Sequence, residues 1–197
     1  MSVTLLLIGI NVVVSLAALY AVPQLLEKGM MIPYRMVREK TWHELVSSGF
    51  VHASVGHLFL NMFVLFFFGP VLEQSIGQTH FVILYFTGLI VSSLPSAYRH
   101  KDNPEFATVG ASGAVESVLF GFIILFPLNP IYIIFIPIGI PSIIFGVLFL
   151  AYSIYASKQG GKINHEAHIA GAVWGILYLI LFVPNTIDHF FSVFGLL

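Results

Sequence analysis

Residues 3–22 read VTLLLIGINVVVSLAALYAV, a run with no charge. A bilayer core is about 30 Å thick and needs about 20 helical residues to cross it. That single run therefore constrains the fold more than any other feature. Five more apolar runs follow, at 56–76, 79–97, 109–126, 131–157 and 166–183, separated by charged or proline-bearing segments. Backbone groups in hydrocarbon have no water to bond, so each run is expected to be a helix. Only 9% of the 197 residues are charged and 58% are hydrophobic, whereas soluble domains carry about 25% charged residues. The expectation is an all-α, multi-pass membrane protein, one domain over residues 1–197. The first run lacks a basic flank and exceeds a signal-peptide core of about 7–15 residues, so it reads as a retained span.

Cysteine is absent, which excludes disulfides, thiol nucleophiles and cysteine-ligated metals. Any nucleophile must be an oxygen or an amine. A net charge of −1 gives no case for nucleic acid. The fifth run contains Pro137 and Pro141, so its regular helix is expected over 141–157, after a loop or broken turn. The first loop, 23–55, mixes Tyr34, Trp42 and Phe50 with Arg35 and Arg38. That mixture suits the headgroup region and predicts a half-embedded, partly helical loop. The tail from residue 184 is expected at the interface. All eight Lys and Arg lie in the first, third and fifth loops; the positive-inside rule alone would put those loops in the cytoplasm.

Ionisable or strongly polar residues inside apolar runs are costly and usually functional. The second run opens GHLFLNM, and His57 and Asn61, four apart, share one helix face. Interhelical hydrogen bonding is the bland alternative. The sixth opens HEAHIAGAVWG, with His168, Gly171 and Gly175 on one face. Its GxxxG pair lets another backbone approach closely. In the fourth run, Ser112 sits between Gly110 and Gly113. Packing by small residues would explain the glycines. Yet Ser112 falls in its helix's first turn, where N–H groups lack intrahelical partners and the dipole favours negative charge.

A serine needs a base, and neutral histidine is the usual one near pH 7. An acyl-transfer intermediate also needs donors aimed at its oxygen. The second, fourth and sixth runs start on one membrane face, since each follows an odd-numbered loop. His57, Asn61, Ser112 and His168 thus share a depth on three helices. The HEAH and HELVS segments look like truncated zincin motifs. They lack the i, i+4 histidine spacing, so no metal is expected. A small transporter is disfavoured because the polar residues cluster at one end, and no internal repeat is evident. Glu116, one turn after Ser112, reads as a structural hydrogen bond or a water-facing group, with a catalytic acid as the alternative. Glu73, at the far end of its helix, reads as snorkelling or as bonded to the next loop.

HASVGHLFLNM at 52–62, VLEQSIG at 71–77, GASGA at 110–114 and AHIAGAVWG at 167–175 stand in order along most of the chain. In that combination the sequence resembles the rhomboid intramembrane serine proteases, in their basic six-helix bacterial form. The resemblance implies a Ser112–His168 dyad and an oxyanion site from His57, Asn61 and the Ser112 amide. It implies structural roles for His52 and Glu73, and packing of Gly171 and Gly175 on the fourth helix. The fifth helix and the loop 157–165 would be gate and cap. It further implies transmembrane-protein substrates cleaved in the lipid bilayer, no cofactor, a bacterial inner (plasma) membrane, and an active site on the non-cytoplasmic side. A non-catalytic rhomboid-like client-binding protein is the rival reading. Two departures stand out. Family members often carry an aromatic where Glu116 stands, stacked on the catalytic histidine, and the common first-loop Trp-Arg pair appears only as Trp42-His43.

Overall fold

The computed structural model describes residues 2–133, 136–159 and 163–196. The first apolar run forms α1 (Val3–Leu16), continued by a π-helical turn, Ala17–Ala21. Its first turn is capped from both sides. Ser2 accepts from Leu5 N–H, and Glu73 accepts from the N–H groups of Val3 and Thr4 at 2.8 and 2.9 Å. The hydroxyls of Ser2 and Thr4 donate to the same carboxylate at 2.8 and 2.7 Å. Glu73 is buried, so snorkelling does not describe it, while the expected bond to the next loop is present, from Gln78 Nε2 at 3.2 Å. Glu73 is also the cap of the first helix, bonded across about 70 residues of chain, a pairing that no local signal announces.

Three short helices, α2 (Gln24–Gly29), α3 (Pro33–Glu39) and α4 (Glu44–Ser47), build the first loop. Met31 and Met36 are fully enclosed, and buried Glu44 binds Arg35 at 2.7 Å and the Ile32 N–H at 2.8 Å. This is a folded element, as its aromatic and charged mixture predicts, and not a linker.

Next comes α5 (Val55–Arg99), a continuous trace of 45 residues broken at Gly77. Straight, it would measure about 67 Å, more than twice a bilayer core of about 30 Å. Gly77 adopts φ +80°, ψ 156°, a conformation open to glycine, and divides α5 into arms 55–76 and 78–99. These are the second and third apolar runs. Asn11 of α1 donates to Tyr85 on the second arm, while Thr4 of α1 binds Glu73 on the first; α1 therefore packs on both.

The core helix is α6 (Ser112–Leu125), buried at every position from Gly113 to Ile123. A helix that is apolar all round belongs in the interior. It begins three residues later than the apolar run suggests, because Gly110 has φ +112°. After α6 the chain makes an antiparallel hairpin, β1 (Pro130–Ile133) and β2 (Ile136–Pro141), pairing Ile131 with Ile140 and Tyr132 with Gly139. This corrects the loop or broken turn expected there. Prolines at 130, 137 and 141 bar a helix, and the apolar residues between them satisfy their backbones by pairing instead. The hairpin is pinned to α6 and α7 (Ser142–Ser157) by Ser142 N–H to Asn129 O, Ile143 N–H to Pro127 O, and the Ser142 hydroxyl to Phe126 O.

The last elements are α8 (His165–Phe182) and α9 (Thr186–Val193). By length and composition α1 with its π turn, α5 and α8 can each cross a membrane, and α6 and α7 are shorter apolar helices. The chain is thus an all-α bundle in architecture, integral to the membrane and multi-pass. Part of the expected cap, residues 160–162, lies outside the described residues.

Candidate active site

Two helix starts and one loop hold Ser112. Thr108 and Met31 exchange backbone hydrogen bonds at 3.0 Å in both directions, and Gly110 N–H donates to Ser48 O at 2.8 Å. Ala111 N–H donates to His52 Nε2 at 3.4 Å. The chain is thereby stitched to the first loop through the residue before Ser112. His52 is fully buried, and its Nδ1 lies 2.8 Å from Ser15 Oγ, which itself donates to Phe50 O. With Nε2 accepting, Nδ1 carries the hydrogen and the ring is neutral. Burial, then the neighbouring His57, push the His52 pKa down to about 3.

Ser112 is the first residue of α6, with Ala111 as its cap. Its N–H has no carbonyl one turn back to bond. A helix of 14 residues rises about 21 Å, less than a bilayer core of about 30 Å. The start of α6 therefore sits below the membrane surface whenever its other end reaches the opposite interface.

A cavity of about 770 Å³ opens over this start, lined by His57, Asn61, Gly110, Ser112, Gly113 and His168 among others. The four polar residues predicted to share a depth all line this one cavity. His57 lies against Gly110, where a Cβ would come within 2.5 Å of Cε1 and 2.7 Å of Nε2. His57 also meets His52 edge-to-face at 5.0 Å. Asn61 donates to His57 O at 2.9 Å, which engages one of its two amide hydrogens. The Ser112 hydroxyl makes no hydrogen bond among the described residues.

Close helix packing brings His168 to this cavity. A Cβ on Gly171 would collide with Gly113 O, and one on Gly175 with Ser117 O. Ser117 Oγ, in turn, donates within reach of both Gly113 O and Gly171 O, each at 2.9 Å. Gly113 is bare for a second reason, since Ser92 of α5 fills the space beside it. The start of α8 is held by Asn164, whose side chain accepts from Ala167 N–H and donates to Ser96 Oγ at 2.8 Å. Glu166 in that first turn pairs with Arg99.

Two residues escaped the sequence reading. Phe149 on α7 lies nearly parallel to the His168 ring, at 15° and 6.4 Å between centroids. It faces the same ring that the resemblance pairs with an aromatic at position 116. Nothing in the sequence marks it among 19 phenylalanines. Asn164 had a signal, a capping residue just before an apolar helical run. Glu116 also lines the cavity, yet it makes no hydrogen bond and Oε2 is enclosed. Of the two expectations for it, the structural hydrogen bond is absent among the described residues, and its place on the cavity wall suits the water-facing one. Among the described residues no three His, Asp or Glu side chains converge on a metal site.

Residues 39–185 match the Rhomboid domain family. The chain belongs to the rhomboid family. It is 30% identical over 183 residues to rhomboid protein 1 of Saccharomyces cerevisiae mitochondria, covering 87% of this chain and 51% of that one. It is 27% identical to the mitochondrial RHOMBOID-like protein 12 of Arabidopsis thaliana, over 76% of this chain and 49% of that one. To the rhomboid YdcA of Bacillus subtilis it is 30% identical, over 73% of this chain and 69% of that one. This rhomboid thus spans about half the length of the two mitochondrial relatives.

Proposed function

We propose that this rhomboid is an intramembrane serine endopeptidase that cleaves transmembrane segments of other proteins, through one domain of six spans. The observation that carries the reading is the convergence of Ser112, His168, His57 and Asn61, from three helices, on one cavity at a helix N-terminus. Ser112 Oγ attacks the scissile carbonyl carbon while His168 takes its proton. The tetrahedral oxyanion is held by donors from His57, Asn61 and the Ser112 N–H. Collapse breaks the C–N bond, and His168 returns the proton to the leaving amine. Water, entering by the cavity, then hydrolyses the acyl-enzyme by the same steps. Phe149 and the packing of α8 on α6 orient His168, and no third acid is assigned. Substrate peptide bonds must leave their helix before attack, which favours segments with helix-breaking or small residues.

The reading extends to location: the inner (plasma) membrane of a bacterium, with the cavity opening on the non-cytoplasmic side. The Bacillus relative supports it. Pairing of Arg35 with Glu44, Arg38 with Asp102 and Arg99 with Glu166 makes the basic loops a weaker orientation signal. Labelling of Asn103→Cys in intact cells, with no native thiol to compete, tests the orientation.

The activity is tested by reconstitution with a transmembrane substrate. Ser112→Ala and His168→Ala should each lower cleavage by at least about 10³-fold, as when members of one catalytic unit are removed. Undiminished cleavage by either variant sinks the dyad. Substrate binding without cleavage by the unaltered protein would favour the client-binding reading.

A further inference from the structure

Three buried side-chain atoms lack a partner among the described residues: Asn11 Oδ1, His165 Nδ1 and Glu116 Oε2. Of these residues only Glu116 lines the cavity. Its side chain is 8% exposed. Among the described residues no lysine or arginine lines the cavity wall, and Arg35, Arg38 and Arg99 have other partners. A buried carboxyl without a donor is costly, and more so in a low-dielectric surrounding. Among the described residues none donates to Glu116, and a donor that enters the cavity would fill that gap.

The position of Glu116 says which part of an entering chain would meet it. Four residues along α6 from Ser112, it is on the same face and about 6 Å further into the bundle. A peptide with its carbonyl at Ser112 Oγ can send the side chain of that residue down this face. The four-carbon stem of a lysine covers a comparable distance and ends in three donors. Shorter apolar side chains would leave the carboxyl as it stands.

We propose that Glu116 is a specificity-determining residue, which selects membrane substrates bearing lysine or arginine at the residue whose carbonyl Ser112 attacks. This rests on the protease reading above. Glu116 is not a third member of the dyad, because it forms no ion pair with His168. It recognises the substrate and leaves the proton transfers to His168.

The test uses the full chain in liposomes and three transmembrane substrates that differ only at that residue: lysine, methionine or alanine. The unaltered protein should favour lysine over methionine by about 100-fold or more in kcat/KM, since sites built to hydrogen-bond a substrate reject analogues lacking the donor strongly. In Glu116→Met the order should invert. Glu116→Gln, nearly isosteric, should lower the lysine-to-methionine ratio at least about tenfold, and it decides the matter should Glu116→Met fail to fold. A ratio near one in the unaltered protein overturns the proposal and means that water, not substrate, satisfies the carboxyl. So does a ratio that the Glu116 variants leave unchanged. In both cases Ser112-dependent cleavage would leave the protease reading intact. Cleavage that persists in Ser112→Ala, or no cleavage of any substrate, overturns both.

Discussion

Replacing Gly171 by alanine should separate the packing of α8 on α6 from every other feature of the site. A Cβ there would lie 3.0 Å from both Cα and C of Gly113, and closer still to its carbonyl oxygen. Real side chains keep about 3.4 Å from such atoms, so the two helices must part by at least about 0.4 Å. The obstacle is backbone, not a flexible side chain that could swing away. The bond from Ser117 Oγ to Gly171 O, now 2.9 Å, stretches with them. Overpacking of this kind costs about 1–3 kcal/mol, which lowers the melting midpoint by roughly 2–4 °C per kcal/mol. Activity should fall further than stability. His168 stands one turn before Gly171, and Ser112 stands next to Gly113, so the displacement falls between the proposed nucleophile and base. A misplacement of 1 Å can cost about 10²-fold in rate. The assay pairs thermal melting in detergent with cleavage at a temperature where every variant is folded. Gly175→Ala is the comparison. It meets Ser117 backbone as closely but lies two turns from His168, so it should melt similarly low and retain more activity. Wild-type melting and cleavage by Gly171→Ala would refute the contact. Equal activity losses in both variants would refute the argument from position.

Three further outcomes are expected. Phe149→Ala should reduce kcat by up to about tenfold, in keeping with the roughly 0.5–1.5 kcal/mol that an aromatic pair contributes, while Phe149→Tyr should retain most of it; a KM effect alone would mean that Phe149 touches substrate and does not orient His168. Glu73→Ala should destabilise the fold by about 1–3 kcal/mol by stripping buried donors of their acceptor, measured by melting; an unchanged midpoint refutes the cap. His52 contributes nothing to pH dependence above its unfolded pKa of about 6.5, where both states are neutral. Because its folded pKa is held near 3, stability should fall by about 1.4 kcal/mol per pH unit as the pH drops below 6.5, since only the unfolded state takes up the proton. In His52→Asn the melting profile between pH 4 and 6.5 should be flatter by that slope, and an identical profile counts against a neutral buried His52.

What the sequence made legible was whatever is written in local pattern. Runs of apolar residues mark the helices because hydrocarbon leaves the backbone no other choice. The GxxxG face of α8 and the helix-start serine were readable because spacing alone sets which face a residue occupies. Parity of the loops then brought His57, Asn61, Ser112 and His168 to one depth, and the cavity gathers the same four. Long-range pairing was not legible. Glu73 meets the first helix across the whole first loop, and Phe149 reaches the His168 ring from a different helix. The hairpin at 130–141 was hidden because an apolar segment punctuated by prolines looks the same whether it pairs or breaks. For Glu116, spacing gave the face correctly and could not give the missing partner.

The clasp of Glu73 on Ser2, Val3 and Thr4 also imposes an order on biosynthesis. The first-turn N–H groups of α1 need an acceptor, and theirs is made about 70 residues later. Until the first arm of α5 has been made, the Val3 and Thr4 N–H groups of α1 lack this acceptor. Closing so long a loop costs only about 0.6 kcal/mol for each doubling of its length, so the delay is chiefly one of timing. Truncated chains ending before residue 73 should therefore insert α1 in a register that remains free to slide, and the register locks when the carboxylate arrives.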